Sequence, residues 1–256
     1  MDFYKDQESF KEASGYTIDG VWYPRVTKIV SIKAKPALLY FYAEAANYRA
    51  GRAVTQKSAE EGTLVHSIIE GLLLDKNPVI EESVRPSIEA FQRFWEEKNI
   101  QVTPELIERR VVSFDHRYAG TVDAIALIDG KLGVLDIKTS QAIYRDYNLQ
   151  TAAYMDALKN NFQNLQTRWI LRVDQTQVCQ VCGAKKRVKG GREKVRPMNG
   201  NFAAMRNCPG HEWSEVKGEI ELKEFPYWQT DFDAFLGAKK LWEWENDFWL
   251  KKVGYL

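Results

Sequence analysis

The sequence has few cysteines and histidines and no long apolar run. Only 3 of its 256 residues are cysteine and 3 are histidine. No stretch approaches the ~20 apolar residues that a membrane-spanning helix needs. Residues 1–10, MDFYKDQESF, lack the basic-then-apolar pattern of a secretory signal. We therefore expect a cytoplasmic protein without a membrane partner.

No single sign of charge dominates the whole chain. The 36 Lys and Arg residues nearly balance the 35 Asp and Glu residues, giving a net charge of +1. Residues 183–207, however, contain eight basic residues and one acid, so this segment has a charge of +7 and the remainder −6. Such a concentration is typical of a contact with a phosphate backbone.

Length and composition fit one large domain, or one domain with an insertion. Hydrophobic residues make up 45% of the chain, enough for a substantial core, and 28% of its residues are charged. The patterns predict the following elements: helices over 37–53, 60–74, 81–99, 146–158 and 232–248, and strands over 104–113, 167–174 and 217–225. Leu38 and Leu39 are predicted to pack in the first helix, and Leu241, Trp242 and Trp244 in the last.

The most informative stretch is residues 118–140, YAGTVDAIALIDGKLGVLDIKTS. Two β-rich apolar runs flank Asp129-Gly130, a dipeptide that strongly favours a two-residue hairpin turn. The sequence therefore predicts an antiparallel pair of strands closed at this turn.

Three charged side chains are predicted to meet at one end of this hairpin. Alternate residues of a strand share a face, so Asp136 and Lys138 lie together while Ile137 points into apolar packing. A turn at 129–130 brings Asp123 near Asp136. Buried like charges repel unless a cation is bound, and oxygen ligands with open positions suit Mg²⁺ or Mn²⁺. Taken one at a time, these residues could equally be exposed strand ends.

Two further motifs lie on predicted helices. Gly62-Thr-Leu-Val-His66 precedes the hairpin and Gln150-Thr-Ala-Ala-Tyr154 follows it. Gln150 and Tyr154 are four residues apart and share a helix side. An amide and a phenol there can bind a phosphate oxygen or a water molecule without adding charge. A lone helical histidine is more often a satisfied or exposed side chain.

Taken together, the motifs resemble those of the PD-(D/E)XK nuclease superfamily, in its RecB-like exonuclease branch. The resemblance covers roughly residues 26–154. It also extends to the CRISPR-associated type and to the mitochondrial genome maintenance exonuclease, which has a similar upstream Val-Thr-x-Ile/Val stretch. Four blocks stand in the expected order: Gly62–His66, Gly120–Asp123, Asp136–Lys138 and Gln150–Tyr154.

The resemblance implies an α/β fold with a restriction-endonuclease-like core, in which a central mixed β-sheet is flanked by helices. It implies a nuclease that hydrolyses DNA phosphodiesters with Mg²⁺ or Mn²⁺. The implied ligands of that ion are His66, Asp123, Asp136 and the carbonyl of Ile137.

The resemblance also implies roles for neighbouring residues. Lys138 would orient or deprotonate the attacking water or neutralise charge, and Gln150 and Tyr154 would position the substrate. Glu108 resembles an acidic residue that precedes the Asp strand and ranks below the two aspartates. Glu70 is either a carboxylate supporting the site or a simple helix partner.

All three cysteines lie in one segment, as Cys179-Gln-Val-Cys182 and Cys208-Pro-Gly-His211. Two such pairs suit a closed tetrahedral Zn²⁺ site, and a disulfide is the weaker alternative. A segment of ~40 residues rarely folds unaided, whereas zinc binding contributes ~10–16 kcal/mol in small fingers. No cysteine precedes position 179, so the iron–sulfur cluster held by several RecB-like exonucleases is not expected.

The segment resembles a zinc ribbon set into a hairpin, with its basic loop directed outward. The predicted domains are a nuclease domain of residues 1–174 and 217–256, with a helical cap at about 1–58, and a zinc-binding insertion of residues 175–216. Predicted contacts to nucleic acid come from the insertion and from the upstream helix: Lys185, Lys186, Arg187, Lys189, Arg192, Arg49 and Arg52.

The sequence thus predicts a DNA exonuclease acting on single-stranded or end-opened DNA. DNA repair, recombination, replication, or phage or CRISPR DNA processing would use such an activity, and a virus-encoded protein would act in the host cytoplasm. The alternatives are a structure-specific or restriction-type endonuclease and a non-catalytic nucleic-acid-binding protein that uses the zinc module.

Overall fold

The computed structural model of the protein describes residues 4–256. The first three residues of the predicted nuclease domain and cap lie outside that range. The helices are α1 Gln7–Ser14, α2 Val26–Val30, α3 Pro36–Glu44, α4 Tyr48–Leu73, α5 Arg85–Glu97, α6 Asp146–Leu158, α7 Phe202–Arg206, α8 Gln229–Glu245 and α9 Asp247–Lys252. The strands are β1 Gly15–Ile18, β2 Val21–Pro24, β3 Ile107–Ser113, β4 Tyr118–Ile128, β5 Lys131–Lys138, β6 Leu165–Val178, β7 Lys185–Lys189, β8 Arg192–Arg196 and β9 Lys217–Glu224.

A mixed sheet organises the molecule, with strand order β3-β4-β5-β6-β7-β8 and β9 also paired to β6. Strands β3, β4 and β5 form an antiparallel meander. Strand β6 then pairs in parallel with β5, and helix α6 lies in the connection between them. A parallel pair needs such a crossover connection, because its strands run in the same direction.

Helices cover both faces of the sheet. On one face α4 and α5 bury Val65, Ile69 and Phe91 against strand residues such as Leu135. On the other face α6 and α8 pack with the N-terminal elements, in a cluster that includes Phe235. The predicted α/β architecture, a central mixed sheet flanked by helices, is confirmed. No helix among the described residues combines the length and apolar character needed to span a bilayer.

The predicted turn at Asp129-Gly130 is confirmed. Both residues have positive φ, 50° and 77°, and Ile128 pairs with Lys131 across the two-residue loop. This backbone matches the twist of the flanking strands, which explains why Asp-Gly favours the hairpin. The predicted pairing of the strands near 167–174 and 217–225 is also confirmed, as β6 and β9.

Two predictions about helices are wrong. The predicted helix over 37–53 is divided, because Asn47 accepts a hydrogen bond from the Ala50 amide at 2.8 Å and caps the start of α4. Helix α4 therefore begins well before residue 60, and α3 buries none of its side chains. Leu39, predicted to pack, is 67% exposed. An apolar period alone does not show whether a partner surface exists.

The aromatic stripe of the last helix is only partly core. Phe235 and Trp242 are buried in α8, as predicted, but Trp244 is 75% exposed and Leu241 is 49% exposed. A single helix has room for one narrow buried face, so aromatic residues outside that face stay in solvent.

Candidate active site

The β4–β5 hairpin places two carboxylates at the same level of the sheet. The outermost pair of this ladder toward the site is Ala124 with Leu135, and Asp123 and Asp136 are the next residue on each strand. The amide of Ile137 donates a hydrogen bond of 2.6 Å to Asp123 Oδ2. This bond fixes the Asp123 carboxylate beside the second strand.

Asp136 is the most deeply buried acid of the cluster, with 1% exposure. Its Oδ1 accepts a hydrogen bond of 3.0 Å from Gln150 Nε2. Its Oδ2 lies 2.7 Å from Lys138 Nζ, yet no donor among the described residues approaches this oxygen in hydrogen-bonding geometry. A buried carboxylate oxygen without a well-aligned donor is a natural position for a cation.

Helix α4 brings His66 to the same place. Its Nδ1 lies 3.9 Å from Asp123 Oδ2. Burial and the Lys138 charge lower the pKa of His66 to about 4, although Asp136 opposes the shift. The ring is therefore neutral at pH 7, as a metal-ligating imidazole must be.

Gly62 permits this approach of α4. A Cβ at that position would lie 2.9 Å from Thr139 Oγ1, which follows the end of β5. The glycine of the Gly-x-x-x-His motif thus has a packing role, because it lets the helix backbone approach the strand and sets the distance of His66 from the acids.

Burial shifts the pKa values of the central charges. It raises the pKa of Asp123, and it raises that of Asp136 to about 6, with Lys138 opposing both shifts. Burial alone would lower the pKa of Lys138, but the Asp136 and Asp123 carboxylates outweigh it and raise that pKa. Two carboxylates thus share one ammonium, and a divalent cation would relieve their repulsion. The oxygen-rich donor set with a neutral imidazole fits Mg²⁺ or Mn²⁺.

Glu108 and Glu70 form an acidic rim around this centre. Glu108 lies on β3 with φ of 46°, a left-handed conformation that is unusual for a residue other than glycine. Desolvation, with the nearby charges of Asp123 and Glu70, raises the pKa of Glu108 to about 7. Much of its side chain remains exposed, so it borders the cluster from the solvent side.

Helix α6 contributes Gln150 and Tyr154, which share one network. Gln150 Nε2 donates to Tyr154 Oη at 3.0 Å as well as to Asp136. Gly120 makes room for the tyrosine, since a Cβ there would lie 2.4 Å from Tyr154 Cε1. Gly120 of the Gly-Thr-Val-Asp motif and Tyr154 of the Gln-x-x-x-Tyr motif therefore pack directly against each other.

Replacing Gly120 with Ala is expected to displace Tyr154 and, through it, Gln150. We expect a destabilisation of about 1–3 kcal/mol from overpacking and a loss of about 10- to 100-fold in nuclease rate from the misplaced network. Thermal unfolding and cleavage of labelled DNA measure the two effects. Gly237→Ala is the control, because a Cβ there meets no atom within 4 Å. Wild-type activity in Gly120→Ala would contradict the role of Gly120 in positioning Tyr154 and Gln150.

The structure also brings the four predicted zinc ligands together. Ligand atoms of Cys179, Cys182, Cys208 and His211 all lie within 4.8 Å of one another. Cys179 Sγ is 4.0 Å from Cys208 Sγ, and Cys182 Sγ is 3.5 Å from His211 Nδ1. Tetrahedral ligands about 2.3 Å from a central zinc ion lie roughly 3.8 Å apart. All three thiols are free of disulfides, so the cluster could bind zinc.

The prediction that the basic loop points outward is correct only in part, because five of its eight basic side chains are exposed whereas the others contact the protein. Strands β7 and β8 form a hairpin that folds back, with Lys189 and Arg187 both donating to the carbonyl of Thr139, Arg187 at 2.9 Å. The sequence misses this contact because it joins residues about 50 apart. The Gly190-Gly191 dipeptide, which favours a two-residue turn, is a signal that could have located the hairpin itself.

Other predicted nucleic-acid contacts have partners within the protein. Lys185 pairs with Glu219 at 2.5 Å, and Lys186 lies over the ring of Trp213. Arg192 pairs with Glu44 and stacks over Phe41. Arg49 and Arg52 are both exposed on α4.

A family model for the PD-(D/E)XK nuclease superfamily matches residues 76–238. The chain belongs to this superfamily. The match spans both aspartates, Lys138 and the α6 residues, and it begins after His66. Members of the PD-(D/E)XK superfamily are metal-dependent nucleases that act on nucleic acid, and they typically use divalent cations.

Comparisons with individual proteins add little to the superfamily assignment. A solved structure titled "Crystal structure of SSO0001" is 15% identical over 71% of this chain and 71% of that chain, with a TM-score of 0.29. A likeness that weak supports no inference. A comparison with curated proteins gives no match.

Proposed function

We propose that the protein is a Mg²⁺- or Mn²⁺-dependent exodeoxyribonuclease of the RecB-like branch, acting on single-stranded or end-opened DNA. The supporting observation is the convergence of β4, β5, α4 and α6 on the carboxylates of Asp123 and Asp136. Asp136 Oδ2 is buried and has no well-aligned hydrogen-bond donor. DNA repair, recombination, replication, or phage or CRISPR DNA processing would use this activity. A protein that only binds nucleic acid would gain nothing from two buried carboxylates that repel each other.

The proposed ligands of the divalent ion are His66, Asp123, Asp136 and the Ile137 carbonyl. When bound, the ion supplies electrostatic stabilisation to charge that develops on the scissile phosphate. Lys138 remains protonated at neutral pH, because Asp136 and Asp123 raise its pKa. It therefore orients the attacking water or neutralises developing charge, and it is a poor general base.

Gln150 donates to the Asp136 carboxylate and to the Tyr154 hydroxyl, so Tyr154 contacts the carboxylate only through Gln150. Burial, with the Asp136 and Asp123 charges, keeps the pKa of Tyr154 well above its usual value, so its hydroxyl stays a neutral donor. Gln150 connects this hydroxyl to Asp136. We assign them the orientation of Asp136 and of a phosphate oxygen, without a proton transfer of their own.

A preference for unpaired DNA is supported by exposed side chains on α3 and at the start of α4. Tyr40 is 71% exposed and Tyr48 is 67% exposed, and Arg49 and Arg52 lie on the same upstream region. Exposed aromatic rings stack on unpaired bases, and arginines hold the backbone between them. In the proposed organisation, the cap at about 1–58 and the domain of residues 1–174 and 217–256 form the nuclease. Residues 175–216 form a zinc-binding insertion with Cys179, Cys182, Cys208 and His211 as ligands.

Labelled linear and closed circular DNA test the proposal. With Mn²⁺ or Mg²⁺, the protein is expected to release mono- or short oligonucleotides from the ends of linear single strands at early times. A covalently closed circular single strand should stay intact, because an exonuclease needs an end. Asp136→Asn, assayed in parallel, controls for a contaminating nuclease. Cleavage of the circle by wild-type protein alone would instead show an endonuclease.

A further inference from the structure

The tip of the β7–β8 hairpin contacts two elements that hold the candidate active site. Toward β5, Arg187 Nη2 donates to the Thr139 carbonyl at 2.9 Å, and Lys189 Nζ donates to the same oxygen. Thr139 directly follows Lys138 in the chain. The two cations therefore fix the backbone at the point where the catalytic strand ends.

Toward α4, the hairpin tip binds next to the Gly-x-x-x-His motif. The amide of Gly190 donates to both carboxylate oxygens of Glu61, at 3.1 and 3.0 Å. Glu61 adjoins Gly62, whose missing side chain sets the distance between α4 and Thr139. The packing is close, since a Cβ on Gly190 would lie 2.4 Å from the Val54 carbonyl oxygen.

The base of the same hairpin is joined to the Cys₃His cluster. The amide of Cys179 donates to the Ala184 carbonyl at 2.8 Å, and Val178 pairs with Lys185 at the start of β7. Arg187 Nε, in the middle of β7, donates to both oxygens of the Asp174 carboxylate on β6 at 2.8 and 2.7 Å. The hairpin is thus held at its base by the cysteine cluster and along its length by the sheet.

We propose that this hairpin is a positioning element for catalysis, which holds α4 and the end of β5 in register so that His66, Asp136 and Lys138 face one ion. The inference rests on the proposed nuclease function. Arg187 and Lys189 are positioning residues here, because their donors point at a protein carbonyl. Cations that served as phosphate contacts would direct their donors toward open solvent.

Gly190→Ala tests the proposal without removing a charge. The added Cβ meets the α4 backbone, and the residue has φ of 62°, so the tip must move away from the helix. We expect kcat to fall by about 10- to 100-fold, as for other small displacements of catalytic groups, with KM for DNA and zinc content unchanged. Amides of residues 136–142 should exchange hydrogen faster than in wild type.

Gly200→Ala is the matched control. Gly200 lies in the same insertion with φ of 74°, and a Cβ there meets no atom within 4 Å. It brings the same backbone strain without the contact, and we expect wild-type kcat. Lys189 gives a second test. Lys189→Met should lower kcat, and Lys189→Arg should keep most of the wild-type kcat. Lys131→Met, at the other end of β5, removes an equal charge and should leave kcat unchanged.

Unchanged kcat in Gly190→Ala, or a change confined to KM, would overturn the proposal, the latter by indicating a substrate contact. Hydrogen exchange distinguishes failure of the positioning proposal from failure of the proposed nuclease function. If wild-type protein cleaves no DNA, the nuclease proposal fails, but faster exchange at 136–142 in Gly190→Ala would still support the positioning contact. Equal exchange in the two proteins would refute it.

Discussion

Asp136→Asn is expected to reduce DNA cleavage by about 10³-fold or more at saturating Mg²⁺. The substitution keeps the shape of the side chain and its contact with Gln150, but it removes the charge that would bind a divalent cation. Single-turnover cleavage of labelled DNA measures the loss. Asp129→Asn is the matched control in the same hairpin, because Asn tolerates the positive φ of that turn. Substantial cleavage by Asp136→Asn would refute the assigned centre.

The same substitution is expected to stabilise the metal-free protein. Burial raises the pKa of Asp136 to about 6, against an ordinary value of 3.8. Its ionisation is therefore less favourable in the folded chain than in the unfolded one. Above pH 6 the variant avoids this penalty of about 1–3 kcal/mol, whereas below pH 3.8 the wild-type carboxyl is protonated in both states and the difference disappears.

Urea unfolding without added Mg²⁺ or Mn²⁺, at pH 7.5 and at pH 3.5, measures this difference. The raised pKa of Glu108 comes from burial, Asp123 and Glu70, so its titration is expected to be alike in both proteins and to cancel in the comparison. A variant less stable than wild type at pH 7.5 would show that the Lys138 ion pair outweighs burial. The expected trade-off is common at active sites, where groups placed for chemistry are rarely optimal for stability.

Loss of zinc is expected to unfold the insertion while the nuclease sheet stays folded. Binding of zinc supplies about 10–16 kcal/mol in small metal-dependent modules, and the insertion's α7 and β8 bury few side chains. Cys179→Ser or His211→Ala should therefore lose one zinc ion per chain and become sensitive to proteolysis within 179–213. Metal analysis and limited digestion measure both effects.

His116→Ala is the control for zinc binding, because His116 packs against Phe232, away from the cluster. It should retain zinc and resist digestion. An insertion that stays protected in Cys179→Ser without bound metal would contradict a structural role for zinc. Lowered cleavage by zinc-free protein whose core remains folded would agree with the positioning proposed for the hairpin.

The parts of the fold that sequence predicts well are those determined by neighbours in the chain. The Asp129-Gly130 turn and the alternation of strand residues place Asp123 and Asp136 side by side, since a two-residue turn fixes the register. Helix α6 is predicted with its observed ends, Asp146 and Leu158. The four motif blocks add the elements that flank the hairpin.

What the sequence does not predict depends on contacts between distant residues. The side chains of α3 follow an apolar period, but no partner surface covers Leu39. The return of the β7–β8 hairpin depends on Glu61 and Thr139, which local patterns in residues 183–207 cannot reveal. A run of positive charge has the same appearance whether it faces a phosphate backbone or the protein's own carboxylates and carbonyls.

The contact between Gly190 and Glu61 spans 129 residues, and this separation has a consequence for biosynthesis. A ribosome releases α4, β4 and β5 well before the β7–β8 hairpin and its cysteines. The acidic pair therefore emerges without the segment that aligns it. Cleavage competence would arrive only after His211, the last of the four proposed zinc ligands, has been made and zinc has bound. Incomplete chains would not cleave nearby nucleic acid, and completed chains would become active only once zinc is bound.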